Sequence, residues 1–425
     1  HDGTPEDCAL LPHDIPSRLG QLGVQDTTRQ PVPGATVDDL DPAERTRLRQ
    51  FIERNNGDPA LAGLADDELD SALGLTVRDA DAVRPSLTGL LLIGTEAALR
   101  RWVPTHEVAF QVLEREDVRV NEFSRAPLLR VVDWLDRAIA PWNVEQEVQV
   151  GLFRISVPRI DRRAFREAVA NAFTHRDYTR LGAAHIRLDD DGLVISNPGG
   201  FVEGVTLDNL LTTEPRPRNP WLADVFKRLG LTERTGRGVD LIYRGLLKYG
   251  RPRPDYSRSD SASVVLRMPT SAADLQFLRL ITEEENRNQV PLPIDSLIAL
   301  ALFRERRRLD RSDLQRAIQK DETAATRTLE ALLECGLVQS HGRNRGTTYT
   351  LSPQVYASLG ARSEYVRQAG FAELQQDQMV SQYVLQNGSI VRSDAMELCR
   401  LTRDQATRLL QRLVKQGALV ADGDR

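Results

Sequence analysis

Cysteine, lysine and long apolar runs are all scarce in this chain, and each scarcity excludes something. The three cysteines, Cys8, Cys335 and Cys399, lie far apart and fit neither a disulfide framework nor paired zinc knuckles. Cys335 and Cys399 fall where helical patterns want apolar residues, so buried reduced thiols are expected there. The longest apolar stretch, Leu87-Thr-Gly-Leu-Leu-Leu-Ile-Gly94, is far short of the ~20 residues that a membrane span needs. The first residues are acidic and proline-containing, unlike a signal peptide, so a cytoplasmic protein with no membrane contact is expected. The few lysines (Lys227, Lys248, Lys320, Lys415) do not sit in a Gly-x-x-x-x-Gly-Lys-Ser/Thr loop, so a helicase activity finds no support. Cationic side chains are therefore almost all arginine, which favours planar, bidentate contacts. A net charge of −5 argues against a uniformly basic nucleic-acid coat but allows a local patch. His175, His185 and His341 are too scattered to propose a metal site.

What is present is the composition of a globular protein, 40% hydrophobic and 28% charged over 425 residues, a length that suggests about three folded units at ~150 residues each. Residues 1–30 lack a clear period and are expected to be a linker or the tail of a preceding domain, the chain starting inside a larger unit. An α/β domain is expected over 31–270. It contains helices at 41–53, with Pro42 in the first turn, and at 65–73. The runs Gly89–Ile93 and Glu107–Leu113 read as strands, and 124–140 as a helix. Ala183–Leu188 and Leu193–Ser196 read as a hairpin around Asp189-Asp-Asp-Gly192. Helices at 219–230 and 239–249 and a strand at 263–268 complete an α/β layer on a mixed sheet.

The central stretch is Asp161-Arg-Arg-Ala-Phe-Arg-Glu167-Ala-Val-Ala-Asn171-Ala-Phe-Thr-His175. Phe165, Ala168, Val169, Ala172 and Phe173 recur at helical spacing, and Asp161 can cap the first turn. Glu167 and Asn171 lie four apart, so a carboxylate and an amide can point into one pocket. A carboxylate can orient or deprotonate water and an amide oxygen can ligate Mg²⁺, as hydrolysis of a nucleoside triphosphate requires. The same pattern also suits a plain sheet-covering helix with Glu and Asn at its rim. Asn197-Pro-Gly199-Gly200 follows a strand and Gly236-Arg-Gly238 precedes a helix, so both turns can offer backbone N–H groups to a phosphate or base, or can be ordinary turns.

That ordered set resembles the ATP-binding domain shared by gyrase, the large heat-shock chaperones, histidine kinases and MutL, the GHKL superfamily. The resemblance implies a GHKL-like α/β sandwich with its core at about 125–270. It implies Glu167 as catalytic base, Asn171 as Mg²⁺ ligand, and Gly236 and Gly238 as phosphate loop. Asn197 stands where that superfamily has an adenine-reading Asp, with Gly199 in the same box. The longer phrases Glu167-Ala-Val-Ala-Asn-Ala-Phe-Thr-His-Arg-Asp-Tyr178, Ile195-Ser-Asn-Pro-Gly-Gly200, Arg218-Asn-Pro220 and Gly230-Leu-Thr-Glu-Arg-Thr-Gly-Arg-Gly238 resemble the bacterial Schlafen AlbA-type transcriptional regulators, often labelled RecG-like. That resemblance implies a DNA-binding regulator, with ATP and Mg²⁺ as possible ligands.

The C-terminal part repeats itself. Arg311-Ser-Asp313 recurs as Arg392-Ser-Asp394, Ala325-Thr-Arg327 as Ala406-Thr-Arg408, and Leu329, Leu332 and Gly336 as Leu410, Leu413 and Gly417, without a gap. Each copy reads as a mainly α winged helix-turn-helix module, at 294–355 and 373–425, joined to the α/β domain by a flexible linker near 270–293. The second wing looks cut short at Arg425. Thr402 and Gln405 form a capping box before the last helix. If each third helix enters a major groove, Glu322, Thr323, Thr326 and Arg327 read bases in copy one, with Arg403, Asp404, Thr407 and Arg408 in copy two. The wing-tip Arg343 and Arg345 would meet phosphate or a narrow minor groove. Ten cationic residues against eight anionic over 294–351 make that copy only weakly basic, so protein docking is the competing use. The expected function is a regulator binding double-stranded DNA as a homodimer, with a nucleotide effector. The alternative is a Mg²⁺-dependent ATPase whose modules dock nucleic acid or a protein.

Overall fold

The computed structural model describes residues 15–22, 25–80, 82–150, 153–233, 237–342, 347–359, 373–399 and 401–420. Two compact units emerge: His1–Leu302 with Arg311–Thr328, and Phe303–Asp310 with Leu329–Arg425. The division runs through the first repeat rather than before it.

In the larger unit the chain begins with α1 (Ile15–Gln21), α2 (Pro42–Arg54) and α3 (Asp66–Ala72), then the hairpin β1 (Thr76–Asp79) and β2 (Ala82–Pro85), then α4 (Leu87–Ile93) and α5 (Glu96–Trp102). Asp41 caps α2 by accepting from the Ala43 N–H at 2.8 Å, and Leu48, Phe51 and Ile52 turn into the core, as the spacing predicts. The central sheet follows, with β3 (Val108–Glu114), β4 (Asp117–Ser124), β7 (Ala184–Leu188), β8 (Gly192–Pro198) and β9 (Ser263–Pro269). Between these strands come α6 (Leu128–Ile139), the separate hairpin β5 (Glu145–Val150) and β6 (Phe153–Pro158), α7 (Arg162–His175), α8 (Pro220–Arg228) and α9 (Gly238–Leu247). Strand order is β4-β3-β7-β8-β9, with β3 and β7 parallel and the other neighbours antiparallel, so the sheet is mixed. Register aligns Phe110 with Ile186, Ile186 with Ile195 and Ile195 with Leu266, a buried row across the sheet that shares a core with Phe165, Ala168, Ala172 and Phe173 of α7.

Helix α7 is held at both ends. Asp161 accepts from the N–H groups of Arg163 and Ala164, both at 3.0 Å, and pairs with Lys248 at 2.7 Å. Burial works against that carboxylate, but the Lys248 charge and the capping N–H groups hold it below the usual range. Helix α9 crosses α7 closely: a Cβ on Gly245 would lie 2.6 Å from the Ala164 Cβ, so only glycine permits this approach.

Three expectations need correction. Gly89–Ile93 is not a strand but part of α4, capped by the Ser86 hydroxyl, which accepts from the Gly89 N–H at 3.0 Å. Residues Thr88 to Ile93 are buried, and a helix enclosed on every side has no periodicity to reveal it. The stretch 124–140 enters its helix only at Leu128, because Ser124 ends β4. Nor is 270–293 a linker: α10 (Leu275–Asn288), capped by Asp274, buries Phe277, Leu278 and Ile281.

The remaining elements are α11 (Ile294–Arg306), β10 (Arg308–Asp310), α12 (Arg311–Ile318), α13 (Glu322–Glu334), β11 (Val338–His341), β12 (Thr348–Leu351), α14 (Pro353–Ser358), α15 (Glu373–Asn387), α16 (Arg392–Cys399) and α17 (Arg403–Lys415). An α/β region is thus followed by a mainly helical one. β10, β12 and β11 form a small antiparallel sheet in the second unit. The repeat is repeated in space: Ala325 and Leu332 are buried on α13 as Ala406 and Leu413 are on α17. Gly336 and Gly417 follow those helices with φ of +69° and +75°, the left-handed turn that ends a helix. The Thr402–Gln405 capping box is present, and the Cys399 thiol is buried, whereas Cys335, expected to be buried too, is only half-buried. Among the described residues no helix is long and apolar enough to cross a membrane.

Candidate functional site

The four-residue spacing of Glu167 and Asn171 brings both onto one wall of a cavity of about 350 Å³. Asn197 from β8 and Gly238 at the start of α9 line the same cavity. The Glu167 carboxylate rests against the glycine: a Cβ on Gly238 would lie 2.0 Å from Glu167 Oε1. Its other oxygen accepts from the Glu233 N–H at 3.3 Å. Burial raises the Glu167 carboxyl above the ordinary carboxylate range, outweighing that N–H. The Asn171 side chain has no hydrogen-bond partner among the described residues, and the buried Thr232 hydroxyl on the same cavity has none either. The Asn197 amide donates to the Pro198 carbonyl at 3.2 Å, which leaves its oxygen to accept.

Gly199 does not line the cavity. Its N–H donates to the Ala262 carbonyl at 2.7 Å, and its φ of +96° turns β8 away toward Asp177. Gly236 lies outside the described residues, as do Arg343, Arg345, Cys8 and residues 421–425.

Sequence reasoning missed the rest of the lining. One wall comes from the irregular stretch 201–217, including Phe201, Leu211, Thr213 and Arg216. Lys227 and Arg237 add cationic side chains, and Phe201 meets Tyr256 with ring centroids 6.3 Å apart. Asn219 and Arg218 anchor that wall. Asn219 donates from its amide to the carbonyls of Thr174 at 3.0 Å and Arg176 at 2.8 Å, closing the end of α7. Arg218 donates to the Gly200 carbonyl at 3.0 Å and stands 3.8 Å from Asp177, while the buried Arg176 donates to the carbonyls of Thr105 and Gly182. The Tyr178 hydroxyl donates to the Phe173 carbonyl at 3.1 Å. Arg176 and Tyr178 are thus structural ties at the end of α7.

In the helical region Thr323 and Arg327 are exposed on α13, and Arg403 and Arg408 on α17. Thr326 and Thr407 are half-buried, and each hydroxyl donates back to its own helix, at the Glu322 and Arg403 carbonyls, both at 2.8 Å. The exposed side of each third helix therefore carries arginine.

Comparison with known proteins matches three segments to family models. Residues 182–267 match one described as "Putative ATP-dependent DNA helicase recG C-terminal", residues 21–109 a domain of unknown function (DUF8451), and residues 274–425 one described as "DNA glycosylase AlkZ-like". No curated protein matches the chain. Among solved structures, the DIP2311 protein from Corynebacterium diphtheriae shares the fold with a TM-score of 0.64 at 24% identity, over 83% of this chain and 70% of that one. The chain combines a GHKL-like ATPase-type α/β domain with an AlkZ-like tail of helix-turn-helix type.

Proposed function

We propose that this chain is a DNA-binding transcriptional regulator whose α/β domain senses a nucleotide. The observation that carries the reading is the convergence of Glu167, Asn171, Asn197 and Gly238 on one cavity. The donor set fits ATP with Mg²⁺. The unpartnered Asn171 amide offers an oxygen to a hard cation, and Lys227, Arg216 and Arg237 offer charge to phosphates. The buried Thr232 hydroxyl lacks a partner that a polar ligand would supply, and the Asn197 oxygen is open to an exocyclic amine. Mg²⁺ would neutralise phosphate charge; the protein's own share is to bind and orient. Gly236 completes the phosphate turn in this reading. Thr323, Thr326 and Arg327, with Arg403, Thr407 and Arg408, read the duplex, Arg343 and Arg345 reach its backbone, and a homodimer addresses two half-sites. The match of the tail to a DNA glycosylase-like model supports contact with DNA.

A Mg²⁺-dependent ATPase is the second reading, favoured by the raised carboxyl of Glu167 beside the cavity, the state of a group able to take a proton from water. Calorimetry of ATP with Mg²⁺ on the full chain, together with duplex binding as a function of salt, tests both. The regulator predicts ATP binding that weakens in Asn171→Ala. It also predicts a salt slope that falls by about one for each of Arg327→Ala and Arg403→Ala. Steady ATP turnover abolished in Glu167→Gln moves the chain to the second reading. A wild-type chain that binds no ATP refutes both.

A further inference from the structure

The stretch that walls the cavity is also gripped from the helix-turn-helix side, within the larger unit. Gln319, one residue past α12, donates from its amide to the Leu207 carbonyl at 2.7 Å and accepts from the Leu211 N–H at 2.8 Å. The gripped segment carries hydrogen bonds of its own. Asn209 accepts from the Thr206 N–H at 2.7 Å and donates to the Gly204 carbonyl at 2.8 Å, and its own carbonyl accepts from the Thr213 N–H at 2.8 Å. Leu211 and Thr213 of the cavity wall are thus tied by hydrogen bonds to Gln319 and Asn209. Gln319 also has a φ of +57°, a backbone setting that glycine adopts more cheaply, so its side chain is what the position gains. The next residue, Lys320, pairs with Asp295 at 2.7 Å, and its charge bears on Asp240 of the cavity wall. Three residues after Gln319, α13 begins with the exposed Glu322 and Thr323.

We infer that Gln319 couples the cavity to the reading face of α13, so that a nucleotide in the cavity, by steadying 207–213, tightens binding of duplex DNA. The inference rests on the nucleotide-sensing reading above and adds the route of its regulation. Steadying a segment once for two ligands makes their binding mutually favourable, and the coupling is reciprocal.

The test measures binding of a fluorescent random-sequence DNA duplex to the full chain by anisotropy, with and without ATP and Mg²⁺, and ATP binding with and without duplex. The wild-type chain should show the same ratio in both directions, about fivefold or more. Gln319→Gly removes the grip, and the relief of its left-handed backbone offsets part of the two lost hydrogen bonds, so the variant should stay folded. Its ratio should be near one, whatever its affinity for either ligand alone. A second variant, Gln319→Glu, keeps the acceptor for the Leu211 N–H but loses the donor to Leu207, and should fall between. Wild-type binding of both ligands with a ratio of one, or an undiminished ratio in Gln319→Gly, overturns the coupling alone. Failure of the wild type to bind either ligand overturns the underlying reading and the coupling with it.

Discussion

Replacing Gly238 by alanine tests whether the carboxylate and the start of α9 form one working corner. The new methyl carbon would sit 2.0 Å from Glu167 Oε1 and 2.8 Å from its carboxyl carbon, where ordinary contact begins near 3.4 Å. The helix start cannot move freely, because α9 is locked against α7 at Gly245 and Ala164. The side chain must therefore yield, retreating by about 1.4 Å and giving up the Glu233 N–H, which takes it off a ligand contact at this corner, worth about 1.5 to 3 kcal/mol to a charged group. Gly238 has no positive φ, and alanine favours a helix by about 1 kcal/mol, which offsets part of the local crowding. The expected outcome is a melting temperature close to wild type with ATP affinity reduced by about ten- to a hundredfold, roughly 1.4 to 2.8 kcal/mol. Differential scanning fluorimetry and calorimetry read the two quantities. Wild-type affinity at an unchanged melting temperature would refute the corner as part of the ligand site.

Acid stability should depend on His106, which is buried with its Nε2 2.8 Å from the Ala126 carbonyl. Burial, with Arg176 and Arg125 adding to it against that carbonyl, pushes its pKa from 6.5 down to about 4. The unfolded chain then binds the extra proton first, so stability is full above pH 6.5 and falls as pH drops toward 4, by about 3 kcal/mol. Urea melts across that range should show the slope, and His106→Gln, which keeps an N–H donor, should lose this share of it. Asn219→Ala should cost about 1 to 2 kcal/mol in urea melts, because the Arg176 carbonyl loses its amide while the Thr174 carbonyl keeps the Asn219 backbone N–H. A cost below about 0.5 kcal/mol would show that the end of α7 closes without it.

What was legible in the sequence was what periodicity and polar caps encode. The face of α7, its Asp161 cap, the hairpin of β7 and β8 and the Thr402–Gln405 box all follow from local spacing. The repeat was legible because two copies of one buried pattern, Ala325 and Leu332 against Ala406 and Leu413, reinforce each other. Glu167 and Asn171 were legible as a pair because helical spacing alone puts them on one wall. α4 was hidden by burial on all sides, which erases the polar face that marks a helix. α10 was hidden by its charged second half, Thr282 to Asn288, although Phe277, Leu278 and Ile281 supply a buried face at its start. The cavity wall from 201 to 217 was illegible for a different reason: its shape comes from Asn209, Arg218 and Gln319, each bonding to backbone rather than matching a neighbour in the sequence.

That dependence on backbone has a consequence for how such proteins diversify. The carbonyls and N–H groups that fasten the 201–217 wall belong to every residue type, proline N–H apart, so side chains facing the cavity can be exchanged while the fastenings persist. The lining of the cavity is thereby separated from the integrity of the sheet, so its shape and charge can change while the scaffold stays the same.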